Sequence, residues 1–208
     1  MDRGWTPDGV GEGRGYSSIR QDPFRMSFAD TYKQDLLRSL ESLNVTNVGQ
    51  ATAWLREARD TDRQIFTCGN GGSASTASHL VCDVLKGASY RREKRFRIMA
   101  LTDSLATITA YSNDVNYDSV FLEQLKNFAA AGDVLIAISG SGNSRNVVLA
   151  AEYAKSVGCK TIGLTGRDGG SLAQAVDLEI RVPEQHMGRI EDVHLIISHM
   201  IAYDLMAS

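Results

Sequence analysis

Two stretches of this chain place glycine and small hydroxyl or amide side chains directly after an apolar run. The first is Thr67-Cys-Gly-Asn-Gly-Gly-Ser-Ala-Ser75, and the second is Ile138-Ser-Gly-Ser-Gly-Asn-Ser144. Loops of this make-up suit anions. Glycine lets the backbone approach the ligand, N–H groups at the start of a following helix point at it, and serine hydroxyls add donors. The second loop, with Ser139, Ser141 and Ser144 and no lysine, has the composition of a seat for a phosphomonoester. Neither loop is a Walker A, because no Gly-Lys-Ser/Thr follows, and neither fits G-x-G-x-x-G, so no nucleotide cofactor is expected. An ordinary βα turn with an N-cap explains one such loop; two in one chain favour a ligand.

The second constellation is ionisable. His79 and Asp83 are four apart on the segment leaving the first loop, hence on one face of a helix. Glu191, Asp192, His194 and His199 lie on the last predicted helix, where Glu191 and His199 share a broad face and His194 points elsewhere. Three of the four histidines therefore sit on two helices. A carboxylate and a histidine on each could form a proton-transfer site or a four-ligand divalent metal site. Spacing alone also allows surface ion pairs, with His194 as a half-buried packing residue. The one basic cluster, Arg91–Arg97, precedes a strand and reads as a solvated loop, with steering of an anionic substrate as its functional alternative.

These loops need a scaffold, and the apolar pattern supplies one. Phe28, Tyr32, Leu36, Leu40 and Leu43 recur at helical spacing from Ser27, and a second helix capped by Asn44 or Thr46 follows to about Ala58. Strands are expected over 65–68, 96–101, 134–138, 161–164 and 178–182, with helices over 74–86, 104–112, 118–130, 145–156 and about 189–206. Strands alternating with helices imply right-handed βαβ units. The expected fold is a single α/β sandwich, a parallel sheet flanked by helices behind an N-terminal helical pair. Residues 1–26, Gly-rich and aperiodic, read as a disordered leader, and 27–208 as the one domain.

The bulk numbers agree. The chain has 208 residues, 43% hydrophobic and 23% charged, with a net charge of -3, which suits a soluble globular domain. The near balance of charge offers no case for binding nucleic acid. No run approaches the ~18 apolar residues of a membrane span. Residues 1–15 lack the apolar stretch of a secretory signal, and three scattered cysteines without C-x-x-C spacing read as reduced thiols, so a cytoplasmic location is expected.

Together, Cys68-Gly-Asn-Gly-Gly-Ser-Ala-Ser-Thr-Ala-Ser-His79, Asn113-Asp114, Gly132-Asp-Val-Leu-Ile-Ala-Ile-Ser-Gly-Ser-Gly-Asn-Ser144, Gly163-Leu-Thr-Gly-Arg-Asp-Gly-Gly170 and Arg189-Ile-Glu-Asp-Val-His-Leu-Ile-Ile-Ser-His199 resemble the sugar isomerase (SIS) domain family. Within it they look most like the phosphoheptose isomerases, which interconvert sedoheptulose 7-phosphate and a heptose 7-phosphate. The resemblance implies that Ser139, Ser141 and Ser144 hold the phosphate, that Asn70, Gly71 and Ser73 contact the sugar, and that Asp114 lies near its hydroxyls. It implies catalytic roles for Asp83, Glu191 and His199. It also implies a homotetramer with active sites at subunit junctions and, as in some members, zinc at His79, Asp83, Glu191 and His199.

The chain departs from the family pattern at three places. Asp83 stands for a glutamate, Glu191 for a glutamine, and Lys86-Gly87 for a Gly-Arg pair. The expected activity is an aldose–ketose isomerisation of a seven- or eight-carbon sugar phosphate through a cis-enediol. The alternatives are a sugar-phosphate sensor without turnover and a non-catalytic SIS protein such as the replication-initiator-associating ones. Those lose the helix carboxylate and the final histidine, both of which this chain retains.

Overall fold

The computed structural model describes residues 26–207; the leader expected over 1–26 lies, Met26 apart, outside them. Five strands, β1 (Gln64–Gly69), β2 (Arg97–Ala100), β3 (Val134–Ser139), β4 (Lys160–Gly166) and β5 (Leu178–Val182), form one parallel sheet in the order β2-β1-β3-β4-β5. Ile65 pairs with Ile98 on one side and Val134 on the other, while Ile162 pairs with Ile136 and Leu178. The strand order reverses between β1 and β3, and a crevice at the carboxyl ends of such strands is where doubly wound sheets bind ligands. Both glycine–serine loops leave the sheet there.

Successive strand residues face opposite layers. Ile65, Ile136, Ile138, Ile162, Leu164, Ile180 and Val182 pack with α2 (Val45–Asp60), α3 (Gly72–Cys82) and α8 (Met187–Ala207). Phe66, Cys68, Leu135 and Ala137 pack on the other face with α5 (Leu122–Phe128), α6 (Arg145–Ser156) and α7 (Gly170–Ala175). Every residue of β3 is buried, which is why it reads as an unbroken apolar run. The buried Cys68 and Cys159 are small core side chains; burial pushes their thiols up to about 12 and about 11.

The N-terminal pair forms as expected. Ser27 and Asp30 make a reciprocal capping box on α1 (Phe28–Glu41), and Asn44, not Thr46, caps α2 by accepting from Thr46 N and Asn47 N. α1 lies on the start of α8, joined by Tyr32, whose hydroxyl donates to Asp192 at 2.6 Å, a bond that raises the phenol to about 12. Arg189 on α8 clasps Glu184 at 2.8 Å and Asp35 of α1 at 3.2 Å, and it holds the Glu184 carboxyl down at about 2.

Three segments depart from expectation. The helix after the first loop starts at Gly72 and turns π-helical over Asp83–Ala88. Gly87 approaches α8 so closely there that a Cβ would overlap the Met206 side chain. The helix expected over 118–130 contracts to α5, because the Asn116 side chain accepts from Ser119 N and opens a separate turn at Tyr117–Ser119. α7 is an addition, a helix too short to show a period and opened by Gly169 and Gly170 at positive φ. The remaining helix, α4 (Leu105–Asp114), is capped by Ser104 and buries none of its residues. Arg91–Glu93 and Lys94–Arg95 are exposed, as a solvated loop should be.

Candidate active site

The β1–α3 and β3–α6 loops meet at the sheet's switch point around a cavity of about 260 Å³. Asn70, Gly71, Gly72, Ser73, Ser139, Gly140, Ser141 and Ser144 line it from the loops, with Met187 and Glu191 from α8. Of the sugar-phosphate contacts expected from sequence, only Asp114 is absent from this lining. It ends α4 as an exposed side chain that accepts from Asn113 at 2.7 Å.

The three serines form one cluster. Ser139 donates to Ser144 at 3.1 Å and lies 3.4 Å from Ser141 between hydroxyl oxygens, and Ser141 accepts from Asn143 N at 3.2 Å. Ser144 occupies the N-cap of α6, yet its side chain caps nothing. Its hydroxyl is thereby turned to its serine neighbours instead of to the helix. The loop can make this turn because Gly142 adopts φ +68° and passes against the Gly169 carbonyl, where a Cβ would overlap. Asn143 then ties the loop to α7, accepting from Ser171 N at 3.0 Å. The product is a polar, donor-rich concavity at the start of α6, suited to a phosphate group.

Farther along α3 and α8 lies a second group. His79 Nε2 is 2.9 Å from His199 Nε2 and 3.3 Å from Asp83 Oδ2, and His199 Nε2 is 3.8 Å from the same oxygen. The i,i+4 pair is therefore real, running from α3 into the π-helical turn, and α8 completes it. Two imidazole nitrogens this close need a shared proton or a cation between them. Two imidazole nitrogens and a carboxylate oxygen, all within 4.8 Å of one another, form a donor set that fits a divalent cation of the zinc type.

The structure does not bring Glu191 to that cluster, so the expected four-residue set is three residues here. Eight residues along α8 is a rise of about 12 Å, which separates the carboxylate from His199. Glu191 instead covers the first turn of α3, where a Cβ on Gly72 would lie 2.5–2.6 Å from the carboxylate atoms. There it faces the positive end of the helix and shares the cavity with the serines.

His194 packs and does not reach the site. It is 1% exposed, donates from Nε2 to the Thr165 carbonyl at 3.0 Å, and burial drives its imidazole down to about 4. The fourth histidine, His186, stacks edge-on against Tyr32 before α8 begins.

Three cavity neighbours escaped the sequence reading. Met187 packs on Gly140, Asn146 exchanges hydrogen bonds with Asn70, and Tyr117 donates to Asn70 at 2.8 Å. Tyr117 follows Asp114 by three residues, a spacing with no period to notice, and Asn146 sits in a first helical turn where asparagine is unremarkable.

Comparison with known proteins agrees with this fold. The SIS domain family model matches residues 28–166. The phosphoheptose isomerase of Aliarcobacter butzleri is 42% identical over 146 residues, covering 70% of this chain and 76% of that protein. That of Halorhodospira halophila is 41% identical over 172 residues, covering 81% and 84%. Among solved structures, phosphoheptose isomerase from Neisseria gonorrhoeae superposes with a TM-score of 0.80 at 31% identity, covering 86% of this chain and 97% of that one. The Francisella tularensis phosphoheptose isomerase also gives 0.80, at 28% identity, covering 87% and 95%.

Proposed function

The chain belongs to the SIS domain family and groups with its phosphoheptose isomerases, and from that membership we propose that it interconverts sedoheptulose 7-phosphate, or a closely related ketose phosphate, with the aldose phosphate. It is an enzyme, a sugar-phosphate aldose–ketose isomerase. The observation that carries the reaction is a serine cradle at the start of α6, bordered by the first turns of α3 and α8, with the His79–Asp83–His199 cluster farther along those two helices.

Size supports the substrate class. A seven-carbon chain with a terminal phosphate spans on the order of 10 Å when extended. Gly72, in the wall of the phosphate cavity, precedes His79 by seven residues, about 10 Å of helix. A phosphate among Ser139, Ser141 and Ser144 thus leaves C1 and C2 near the cluster, with Asn70, Gly71, Ser73 and Glu191 around the part of the sugar next to the phosphate. Asp83 then takes the proton from C1 of the ketose and returns it to C2, while His199 moves protons between the two oxygens of the cis-enediol. His79, Asp83 and His199 would hold a divalent cation such as zinc, which when bound supplies positive charge to a developing enediolate oxygen.

Assembly and location complete the proposal. Leu85, Met200 and Tyr203 are exposed apolar side chains near the cluster, with Tyr203 stacked against His199. A covering subunit there fits a homotetramer with its sites at subunit junctions. Among the described residues no helix is long and apolar enough to cross a membrane. The free thiols of Cys68, Cys82 and Cys159 are consistent with the reducing cytoplasm.

A non-catalytic SIS protein is the less favoured reading, because Asp83, His79 and His199 are both present and assembled. An isomerase assay over pentulose, heptulose and octulose phosphates, with and without chelator, tests the proposal. Turnover should be greatest with the heptulose phosphate. Binding of all three without turnover of any would return the chain to the sensor class.

A further inference from the structure

Asn70 stands at the junction of the two loops, and its neighbours leave its amide one orientation. A backbone N–H can only donate, so the Asn146 atom that Val147 N contacts at 3.0 Å is the oxygen. That oxygen also receives Asn70 Nδ2 at 2.8 Å. The reciprocal contact, Asn146 Nδ2 to Asn70 Oδ1 at 2.9 Å, follows from it. Tyr117 OH, 2.8 Å from the same Asn70 oxygen, must then be the donor. One backbone proton, shared between the Asn146 oxygen and the Ser144 carbonyl, each 3.0 Å from Val147 N, thus sets the polarity of a four-group chain that runs from the base of α6 to the turn after α4.

We propose that Tyr117 and Asn146 are positioning residues that lock Asn70 with its amide nitrogen as the group it offers the cavity. Asn70 Oδ1 accepts two hydrogen bonds and is saturated. Nδ2 donates one hydrogen to Asn146 and retains one, among the described residues, for a ligand. A locked Asn70 meets an oxygen acceptor, such as a sugar hydroxyl or carbonyl; a flipped one would present an acceptor in its place. The two locks differ in strength. Asn146 is 2% exposed and fixed by α6, whereas Tyr117 is 51% exposed on the connection between α4 and α5. The phenol is therefore the removable part.

The inference rests on the isomerase assignment for its kinetic readout but not for its structural one. Tyr117→Phe keeps the ring and deletes the bond. KM for the ketose phosphate should rise about 3- to 10-fold, the worth of one neutral hydrogen bond, with kcat held within about twofold. Competitive inhibition by inorganic phosphate, which needs only the serine cradle, should stay unchanged. In ¹⁵N-labelled protein the Asn70 side-chain amide signals should shift and exchange faster with solvent, while backbone amides of β3 and α6 stay in place. A wild-type KM with unmoved Asn70 signals overturns the lock. So does a joint loss of kcat, Tm and phosphate affinity, because it marks a loosened loop and not a mis-set amide. Wild-type protein that turns over no sugar phosphate removes the isomerase assignment instead, and the amide signals then decide the lock alone.

Discussion

A serine at the start of a helix usually serves the helix, and Ser144 is informative because it does not. Its hydroxyl is left to Ser139, as the proposed phosphate seat requires, instead of closing an ordinary capped turn. Ser141→Ala with Ser144→Ala should raise KM by at least about tenfold and leave kcat far less affected, since hydrogen bonds to a charged group contribute ~1.5–3 kcal/mol each. An unchanged KM in the double variant removes this loop from phosphate binding. The two carboxylates are told apart in the same way. Asp83→Asn should lose about 10²–10⁴ in kcat, the usual range for a general base, while Glu191→Gln, which restores the family's residue, should be mild. The reverse order would make Glu191 the base. At this scale His79, Asp83 and His199 were legible because helical spacing is local, and so were the serines. Tyr117 and Asn146 were not, because their contacts with Asn70 join residues 47 and 76 positions apart.

Among the elements, α8 does the most. It carries Glu191 to the first turn of α3, carries His199 to His79, and buries His194 against β4 between them. The strands were readable as apolar runs, and the helices that pack on them as amphipathic ones. The π-helical turn at Asp83–Ala88 was not, since it packs against α8 from the far end of the chain, where Gly87 lies against Met206. The separation of Glu191 from His199 was in the spacing, since eight residues of helix rise about 12 Å, but a shared face alone does not bring two side chains to one ion. Buried His194 makes a pH prediction. Its imidazole titrates at about 4 when folded against 6.5 when free, so below pH 6.5 the unfolded chain binds a proton that the folded chain refuses. Stability should therefore fall as pH drops from about 6.5 toward 4, by up to about 3 kcal/mol, and this part should level off below. Urea unfolding of His194→Gln should show a flatter dependence across that window. An identical slope in the variant would mean that His194 is not held neutral by burial.

For the whole molecule, one topological fact organises the rest: the sheet changes direction between β1 and β3, and both ligand loops leave from there. Alternating strands and helices made the parallel sheet foreseeable. Its strand order came from the fold, because local pattern does not say on which edge a strand is added. From that switch point α3 leads from the serine-lined cavity to the histidine cluster, and α8 runs beside it; the proposed heptulose phosphate would lie along this path. In the proposed reaction protons move between C1 and C2 at the far end of that path. Turnover of sedoheptulose 7-phosphate in heavy water, followed by NMR, tests it most directly. Deuterium is expected on C2 of the aldose phosphate, in part even if the shuttled proton is retained in some turnovers. An aldose product with no carbon-bound deuterium, as a hydride shift would give, would contradict it.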